Sequence, residues 1–363
     1  MLYENSPLLF PLQSRLNICI LCSILYHHGR DNCFLSRNRK GDGTLDLVSA
    51  VIAFLNVGFF SGIVSRFTGA NTTILILASL LYLGGRPVEI VGIMMTYLVF
   101  MRLTMYTQNH RIGYGNLIVF KGWKLALLAV LTVLLLFVYP FAALALFLGF
   151  FLTELLARIY RDMDPKDRMP IQTLSTYAVL AGVITTACFA ATLLIPEDWY
   201  YGIAATAILL IAAFFWWLGQ NRNRLASVWD TVILATFAPA GFFGLDLSDW
   251  MTDMKRNGKQ TPLSKNLPFI YLPAFYIAFL SGNILFGIFS FSGLILTFFS
   301  ALAVRLFGYY QVSGKGHMNL VALSVTILAA VCLWLTAPQP TGISEAIDVF
   351  LPAKPAVDLL KLL

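Results

Sequence analysis

The break Ser65-Arg66-Phe67-Thr68-Gly69-Ala70-Asn71-Thr72-Thr73 interrupts the apolar sequence of this chain and is the feature that decides its fold. A membrane-length apolar run precedes it, and the run that follows, Ile74–Leu83, is too short to cross a bilayer. An arginine at the centre of a spanning helix costs about 2.5–3.5 kcal/mol on insertion scales. Non-helical backbone at membrane depth occurs only where protein or a water-filled cavity covers it. The break therefore indicates either a binding site or a serious packing problem inside a membrane protein.

The composition of the chain supports the membrane class. Of its 363 residues, 58% are hydrophobic and 12% are charged, whereas a soluble globular domain carries about 25% charged residues. The net charge of +7 is explained by lysines and arginines in cytoplasmic loops, and no basic stretch has the length of a nucleic-acid-binding surface. We therefore predict an all-α, polytopic protein of the plasma membrane whose partner is the lipid bilayer and not a nucleic acid.

Apolar runs of about 16 to 25 residues predict nine transmembrane helices. Leu125–Tyr139 and the run after it are separated by Pro140, which cannot continue a helix, so this pair predicts a helical hairpin. The nine predicted spans are Leu45–Val64, Val88–Met105, Leu125–Tyr139, Phe141–Ala157, Ile171–Ile195, Tyr201–Gly219, Leu267–Ile288, Ser290–Leu306 and Asn319–Leu335.

A second break, Ala238-Pro239-Ala240-Gly241-Phe242-Phe243-Gly244, lies in the later half of the chain. Paired interruptions in the two halves of a membrane protein point to the binding site of a transporter. With a cytoplasmic N-terminus and two re-entrant broken segments, most of the lysines and arginines, Arg102 among them, fall on the cytoplasmic side. If the second segment crossed fully, the four cations of Lys255–Lys265 would move outside, so charge bias favours re-entrance.

This layout predicts an inverted-repeat transporter architecture, because the first half starts from inside and the second from outside.

For the first 44 residues, a genuine tail and a mis-assigned start codon are both open. Tryptophans and tyrosines near span ends predict interfacial anchors: Trp199, Trp216, Trp217, Trp250, Trp334, Tyr200, Tyr201, Tyr309 and Tyr310. The predicted segments are the tail at 1–44, repeat 1 at 45–170, a linking helix and external loop at 171–200, repeat 2 at 201–337 and an interfacial C-terminal segment at 338–363.

The stretch Gly58–Val130 carries an ordered set of short motifs. They are Gly62, Gly69-Ala70-Asn71, Leu83-Gly84-Gly85-Arg86-Pro87, Gly92, His110-Arg111 and Gly115-Asn116. This order resembles the first repeat of the sulfite exporter TauE/SafE family, whose members move small anions, often sulfur-containing, across bacterial membranes. The resemblance implies a small-anion transporter whose substrate is a sulfur oxyanion or an organosulfonate. The family's turn is usually a glycine triplet, of which Gly69 alone is kept here.

The polar residues of the two breaks are the predicted substrate site. Arg66 has the planar donor fork that suits oxyanions, although it could instead snorkel to an interface or pair with Glu89. Asn283, inside the seventh span, contacts substrate or packs helix against helix. Asp246 and Glu89 are weak candidates for coupling, and the alternative for Asp246 is that it caps its segment in cytoplasmic water. The predicted substrate-binding residues are Ser65, Arg66, Thr68, Gly69, Asn71, Thr72, Pro239, Gly241 and Asn283.

The sequence lacks a phosphate loop, a His–Glu metal motif and a Gly-x-Ser-x-Gly elbow. We therefore expect no enzyme, no cofactor and no metal, but a secondary transporter or exporter that works by alternating access, with its site between two broken helices. Two alternatives stay open: a membrane scaffold or subunit without a transport path, and an integral membrane enzyme acting on a lipid-linked substrate. The direction of transport, the coupling ion and the oligomeric state, a homo-oligomer included, also stay open.

Overall fold

The described part of the chain, seen here in a computed structural model, consists of helices joined by short turns and loops. Those residues are 43–83, 85–109, 122–138, 140–220, 229–248, 250–251, 262–286, 291–307 and 320–335. A short 3-10 turn, Pro165–Asp167, follows the fifth helix. The helices are α1 (Gly43–Thr68), α2 (Thr72–Tyr82), α3 (Pro87–Asn109), α4 (Gly122–Val138), α5 (Pro140–Asp162), α6 (Ile171–Thr192), α7 (Glu197–Gln220), α8 (Trp229–Ala235), α9 (Phe237–Phe243), α10 (Pro262–Lys265), α11 (Pro268–Phe286), α12 (Phe291–Leu306) and α13 (Leu320–Leu335).

Five of the described helices, α1, α3, α5, α6 and α7, are long and apolar enough to cross a membrane. The other four predicted spans coincide with α4, α11, α12 and α13. The hairpin is confirmed, since α4 ends at Val138, α5 begins at Pro140 and the two helices pack together. The chain is thus an all-helical protein compatible with a membrane, and the count of nine spans and the two re-entrant segments stay predictions.

Helix α3 lies at the centre of the packing. The helices α2, α9, α11 and α12 contact it, and 72% of its apolar stretch Pro87–Tyr106 is buried. Small residues allow the closest helix approach, as Gly62 of α1 shows: a Cβ placed there would lie 2.8 Å from the Cβ of Ala303 on α12. Close backbone approach at small residues is the usual basis of helix association in lipid, where apolar burial supplies little drive.

The first break is narrower than the sequence predicted. Helix α1 continues through Ser65–Thr68, so the non-helical residues are Gly69, Ala70 and Asn71. Gly69 has φ +76, a conformation that costs an ordinary L-residue about 1–2 kcal/mol. Asn71 then caps α2, because its Oδ1 accepts the backbone N–H of Thr73 at 2.9 Å. Helix α2 has 11 residues, which confirms an apolar segment too short to span.

The second break was predicted at the wrong residues. Ala238–Phe243 is helical, because Pro239 is the third residue of α9, within the first turn where proline is tolerated. Gly244, with φ +66, ends α9 and donates its N–H to the Ala240 carbonyl at 2.9 Å. The non-helical stretch is Gly244–Leu247, which shares only Gly244 with the predicted segment.

The predicted interfacial anchors fall into two groups. Trp199, Trp217 and Trp334 are exposed, as lipid-facing or interfacial side chains would be. Trp250 is buried against the ring of Phe215, with 5.2 Å between the ring centroids, so its assignment as an anchor was wrong. The prediction was also wrong for the buried Tyr200 and Tyr201. The tail at 1–42, His110-Arg111, Asp249, Tyr309-Tyr310 and the C-terminal segment from 338 lie outside the described residues.

Candidate functional site

The two breaks lie directly against each other. The side-chain amide of Asn71, at the start of α2, donates to the backbone carbonyl of Asp246 at 2.5 Å. The backbone N–H of Asp246 in turn donates to Oγ1 of Thr73 at 2.9 Å. Two hydrogen bonds therefore join residues that are more than 170 positions apart in sequence. Hereafter the junction means Gly69–Thr73, Gly244–Ser248 and the arginine described next.

A buried ion pair stands at the centre of the junction. Nε of Arg102, on α3, donates to Oδ2 of Asp246, and the two side chains are only 6% and 5% exposed. The other carboxylate oxygen, Oδ1, accepts the backbone N–H of Ser248 at 2.9 Å. Nη1 of Arg102 points to the sulfur of Met105 at 3.9 Å. Both oxygens of the carboxylate thus have donors, as a charge buried in low dielectric requires.

This pair corrects two predictions. Asp246 does cap the backbone that follows it, but it does so in the protein interior and not in cytoplasmic water. Arg102 was counted among the cytoplasmic loop cations, and it is instead buried within α3. It lies fifteen residues after Pro87 and seven before Asn109, which places it about 22 Å along the helix axis. The pair therefore lies nearer the middle of α3 than either of its ends.

A buried hydroxyl pair lies beside the ion pair. Oγ1 of Thr236, at the joint between α8 and α9, is 2.6 Å from the hydroxyl oxygen of Tyr271 on α11. The ring of Tyr271 packs on that of Phe237, with 4.7 Å between centroids. The hydroxyl also lies within electrostatic reach of Asp246 and Arg102. Helix α11 thus contributes a neutral polar group to the surroundings of the charges.

Helix α9 is held firmly on its far side. Its Phe242 carbonyl accepts hydrogen bonds from the hydroxyl of Tyr200 at 2.8 Å and from Oγ1 of Thr192 at 3.2 Å. Gly241, predicted to bind substrate, faces α6, where a Cβ would lie 2.3 Å from the carbonyl oxygen of Thr185. Pro239, also predicted to bind substrate, accepts the N–H of the residue after Gly244 through its carbonyl. Both residues thus help to position the second break, and neither is described as a hydrogen-bond donor to it.

The hydroxyls of Ser65, Thr68 and Thr72 bond to groups of the first break and of the α1 turn before it. Oγ1 of Thr72 donates to Oγ of Ser65 at 2.8 Å, and Oγ1 of Thr68 donates to the Val64 carbonyl at 2.6 Å. Oγ1 of Thr68 also accepts the N–H of Ala70 at 3.1 Å. The hydroxyls of the predicted substrate residues Ser65, Thr68 and Thr72 therefore bond to nearby protein groups in this arrangement. Opening of this arrangement needs a change of conformation at the break.

The remaining predicted residues lie around this centre. Arg66 is half-buried in the last turn of α1, one turn before the break. Glu89 forms an ion pair of 3.7 Å with Arg86, within the first turn of α3, where the helix dipole favours a carboxylate. Asn283 is buried on α11 and donates to the carbonyl of Phe279 at 2.7 Å. In the described part of the chain, no hydrogen bond joins it to either break.

Sequence reasoning missed Arg102, Tyr271 and Thr236. The signal for Arg102 was present, since it is a lone cation inside the apolar run Val88–Met105 and carries the same insertion cost as Arg66. Its assignment to a loop hid that cost. Tyr271 and Thr236 have no such signal, because single hydroxyls are common in membrane helices.

Comparison of the chain with protein-family models, curated proteins and solved structures gave no match. The resemblance of Gly58–Val130 to the TauE/SafE family therefore stays a prediction that rests on its motifs alone. The physical evidence on function is the junction itself: two helix interruptions from opposite halves of the chain, bonded to each other around a buried cation.

Proposed function

We propose that the chain is a secondary transporter of a small anion in the plasma membrane, with a cytoplasmic N-terminus and its site at the junction. The observation that carries the proposal is the contact between the two breaks, Asn71 to Asp246, beside the buried guanidinium of Arg102. Secondary transporters bind substrate where interrupted helices of two repeats meet. A charge buried at such a place is a functional-site hypothesis by default.

The chemistry of the junction suits an oxyanion. Arg102 supplies a permanent positive charge and a planar set of donors that matches a sulfonate or sulfite group. The N-terminus of α2 lies beside it, and the positive end of a helix dipole adds to the attraction for an anion. Arg66, one turn before the break, adds a second cation on the approach from α1.

The junction has the means to open. Asn71, Thr73 and Asp246 bond to one another, so the two breaks are closed against each other in this arrangement. The non-helical stretches at 69–71 and 244–247 are the places where backbone dihedrals can change without breaking a helix. Separation of the two breaks would expose Arg102 to one side of the membrane at a time, as alternating access requires.

One observation also favours a second candidate, a membrane scaffold or subunit without a transport path. The polar groups of Asn71, Thr73 and Asp246 bond to one another and to Ser248 and Arg102, as the parts of a rigid packing device would. The two candidates differ in one measurable property. A transporter moves an anion through the purified chain, and a scaffold does not.

The test is anion flux from proteoliposomes loaded with sulfite, sulfate or methanesulfonate. We expect the native chain to release at least one of these anions, and Arg66→Ala and Arg102→Gln to slow that release. Lys265→Gln is the matched control, because it removes a cation that pairs with Asp167 away from the junction. The scaffold is favoured if proteoliposomes with the folded, monodisperse native chain release none of the three anions faster than loaded liposomes that lack protein. Equal flux from the native chain and Arg66→Ala would remove Arg66 from the site.

A further inference from the structure

The closed junction is electrically neutral. One buried guanidinium, Arg102, is balanced by one buried carboxylate, Asp246, within the interior of the helix packing. An uncompensated charge in such a place is far more costly than a paired one. The net charge of the junction therefore has to stay near zero when any ion enters or leaves it.

Resting on the proposed transport function, we propose that Asp246 stands in for the transported anion on Arg102, and that the anion and one proton enter the junction together. The anion replaces the Asp246 carboxylate on the guanidinium, and the proton binds the Oδ2 oxygen that Arg102 releases. A positive arginine with a carboxylate becomes a positive arginine with the substrate anion and a neutral carboxylic acid. The chain is thereby a symporter of one proton with each monovalent anion.

The charge balance excludes entry of either partner alone. An anion without a proton would leave two negative groups competing for Arg102. A proton without an anion would neutralise Asp246 and leave the guanidinium without a counter-charge. Each of these states carries one net buried charge, which is the situation that strongly destabilises broken buried pairs.

Asp246 is the group of the junction that can take up the proton once the anion has replaced it on Arg102. Beside the pair, the hydroxyl of Tyr271 on α11 lies within electrostatic reach of both charges, and Tyr106 on α3 lies within reach of Tyr271. Asn71 and Thr73, which bond the backbone of Asp246, do not ionise. Arginine stays protonated in proteins, and a tyrosine hydroxyl normally stays neutral below about pH 9. Within this group, the carboxylate is the member whose charge a proton can change.

The same event also loosens the contact between the breaks. Asp246 follows Gly244, which ends α9 in a left-handed conformation, and belongs to the non-helical stretch 244–247. Its side chain holds Arg102, while its backbone carbonyl holds Asn71. Release of the side chain frees this stretch to move, and its movement carries the carbonyl away from Asn71. Binding of substrate and proton is thus linked to separation of the two breaks.

The experiment measures uptake of methanesulfonate into proteoliposomes with the membrane potential clamped at zero. Methanesulfonate stays a monoanion across the assay range, so it cannot carry the proton itself. For one proton per anion, we expect the native chain to accumulate methanesulfonate about tenfold for each unit of pH gradient. Asp246→Asn cannot change its charge, and we expect it to equilibrate the anion without responding to the pH gradient.

Asp167→Asn is the matched control, because Asp167 is a partly exposed carboxylate that pairs with Lys265 outside the junction. It is expected to accumulate methanesulfonate as the native chain does. Asp246→Asn itself keeps an Oδ1 oxygen that can accept the Ser248 N–H. If the native chain carries sulfate and not methanesulfonate, the same gradients are imposed on sulfate.

Binding of methanesulfonate in detergent provides a second readout that does not depend on flux. In the native chain the anion must displace Asp246, whereas in Asp246→Asn it meets a guanidinium without its carboxylate. Because breaking a buried pair is equivalent to about 100-fold or more in an equilibrium constant, we expect Asp246→Asn to bind methanesulfonate at least about tenfold more tightly. A carboxylate with a purely structural role would not raise the affinity when it is neutralised.

The outcomes separate the two proposals. Flux that ignores the pH gradient in the native chain, with unchanged affinity in Asp246→Asn, overturns the coupling and leaves the transporter standing. A native chain that carries none of the three anions overturns the transporter, and the coupling falls with it. Accumulation driven by the pH gradient in the native chain and lost in Asp246→Asn, with Asp167→Asn unaffected, supports both.

Discussion

The ion pair between Arg102 and Asp246 makes the sharpest prediction about stability. Both side chains are nearly fully buried, and they join α3 to the stretch that follows α9. Asp246→Ala leaves the guanidinium without its carboxylate, and Arg102→Met leaves the carboxylate with the Ser248 N–H as its described donor. Removal of one partner of a buried pair costs about 3–5 kcal/mol, so each single variant is expected to lose that much free energy of unfolding.

The double variant Arg102→Met with Asp246→Leu separates the charge effect from the packing effect. Replacement of a buried pair by apolar residues of similar volume is often neutral or stabilising. The two hydrogen bonds between the breaks survive the change at residue 246, because they use its backbone N–H and carbonyl. We therefore expect the double variant to be more stable than either single variant.

The assay is reversible unfolding in detergent followed by tryptophan fluorescence. Trp250, buried beside Phe215 four residues after Asp246, reports on the junction. The control is the same cycle at the partly exposed pair Lys265 and Asp167, where each substitution should cost less than about 1 kcal/mol. The reasoning is refuted if either single junction variant loses less than about 1 kcal/mol, or if the double variant loses the sum of the two.

Three further substitutions test the elements around the pair. Gly244→Ala forces an L-residue to a φ of +66 in a crowded position, and should lower the free energy of unfolding by about 2 kcal/mol or more. The control is Gly202→Ala, on a helix face with open space, which should leave the melting temperature unchanged or raise it. Asn71→Asp keeps the cap on α2 but loses the donor that joins the breaks, so a loss of about 1–2 kcal/mol without loss of α2 is expected by calorimetry and circular dichroism. Tyr200→Phe should cost about 1 kcal/mol in thermal unfolding, because the Phe242 carbonyl keeps a second hydroxyl donor; a loss above about 3 kcal/mol would contradict this account.

Much of the architecture could be predicted from local sequence. The nine apolar runs all coincide with helices, and Pro140 separates α4 from α5 as expected. Lipid provides no partner for free backbone groups, so an apolar run of sufficient length has to form a helix. The break before α2 was also visible, because Gly69 and the cap residue Asn71 are local signals for the end of one helix and the start of the next.

The exact residues of the second break could not be predicted in the same way. Pro239 suggested an interruption, yet a proline in the first turn of a helix is compatible with it. Which of the glycines adopts a left-handed conformation depends on what surrounds it. Gly241 is helical because α6 approaches it closely, and Gly244 ends the helix, where its N–H reaches the Ala240 carbonyl.

The sequence by itself determined that this chain is helical, where its apolar helices lie and that the segment after the first break is too short to span. It also marked Arg66 as a charge in apolar surroundings, whereas Arg102 was counted with the cytoplasmic cations. Only the tertiary structure decided that Arg102 meets the carboxylate of Asp246, which lies 144 residues further along the chain, within the second break. Hydrophobic length and helix caps act between neighbours along the chain, whereas a buried ion pair depends on how distant helices pack, and no local pattern encodes that packing.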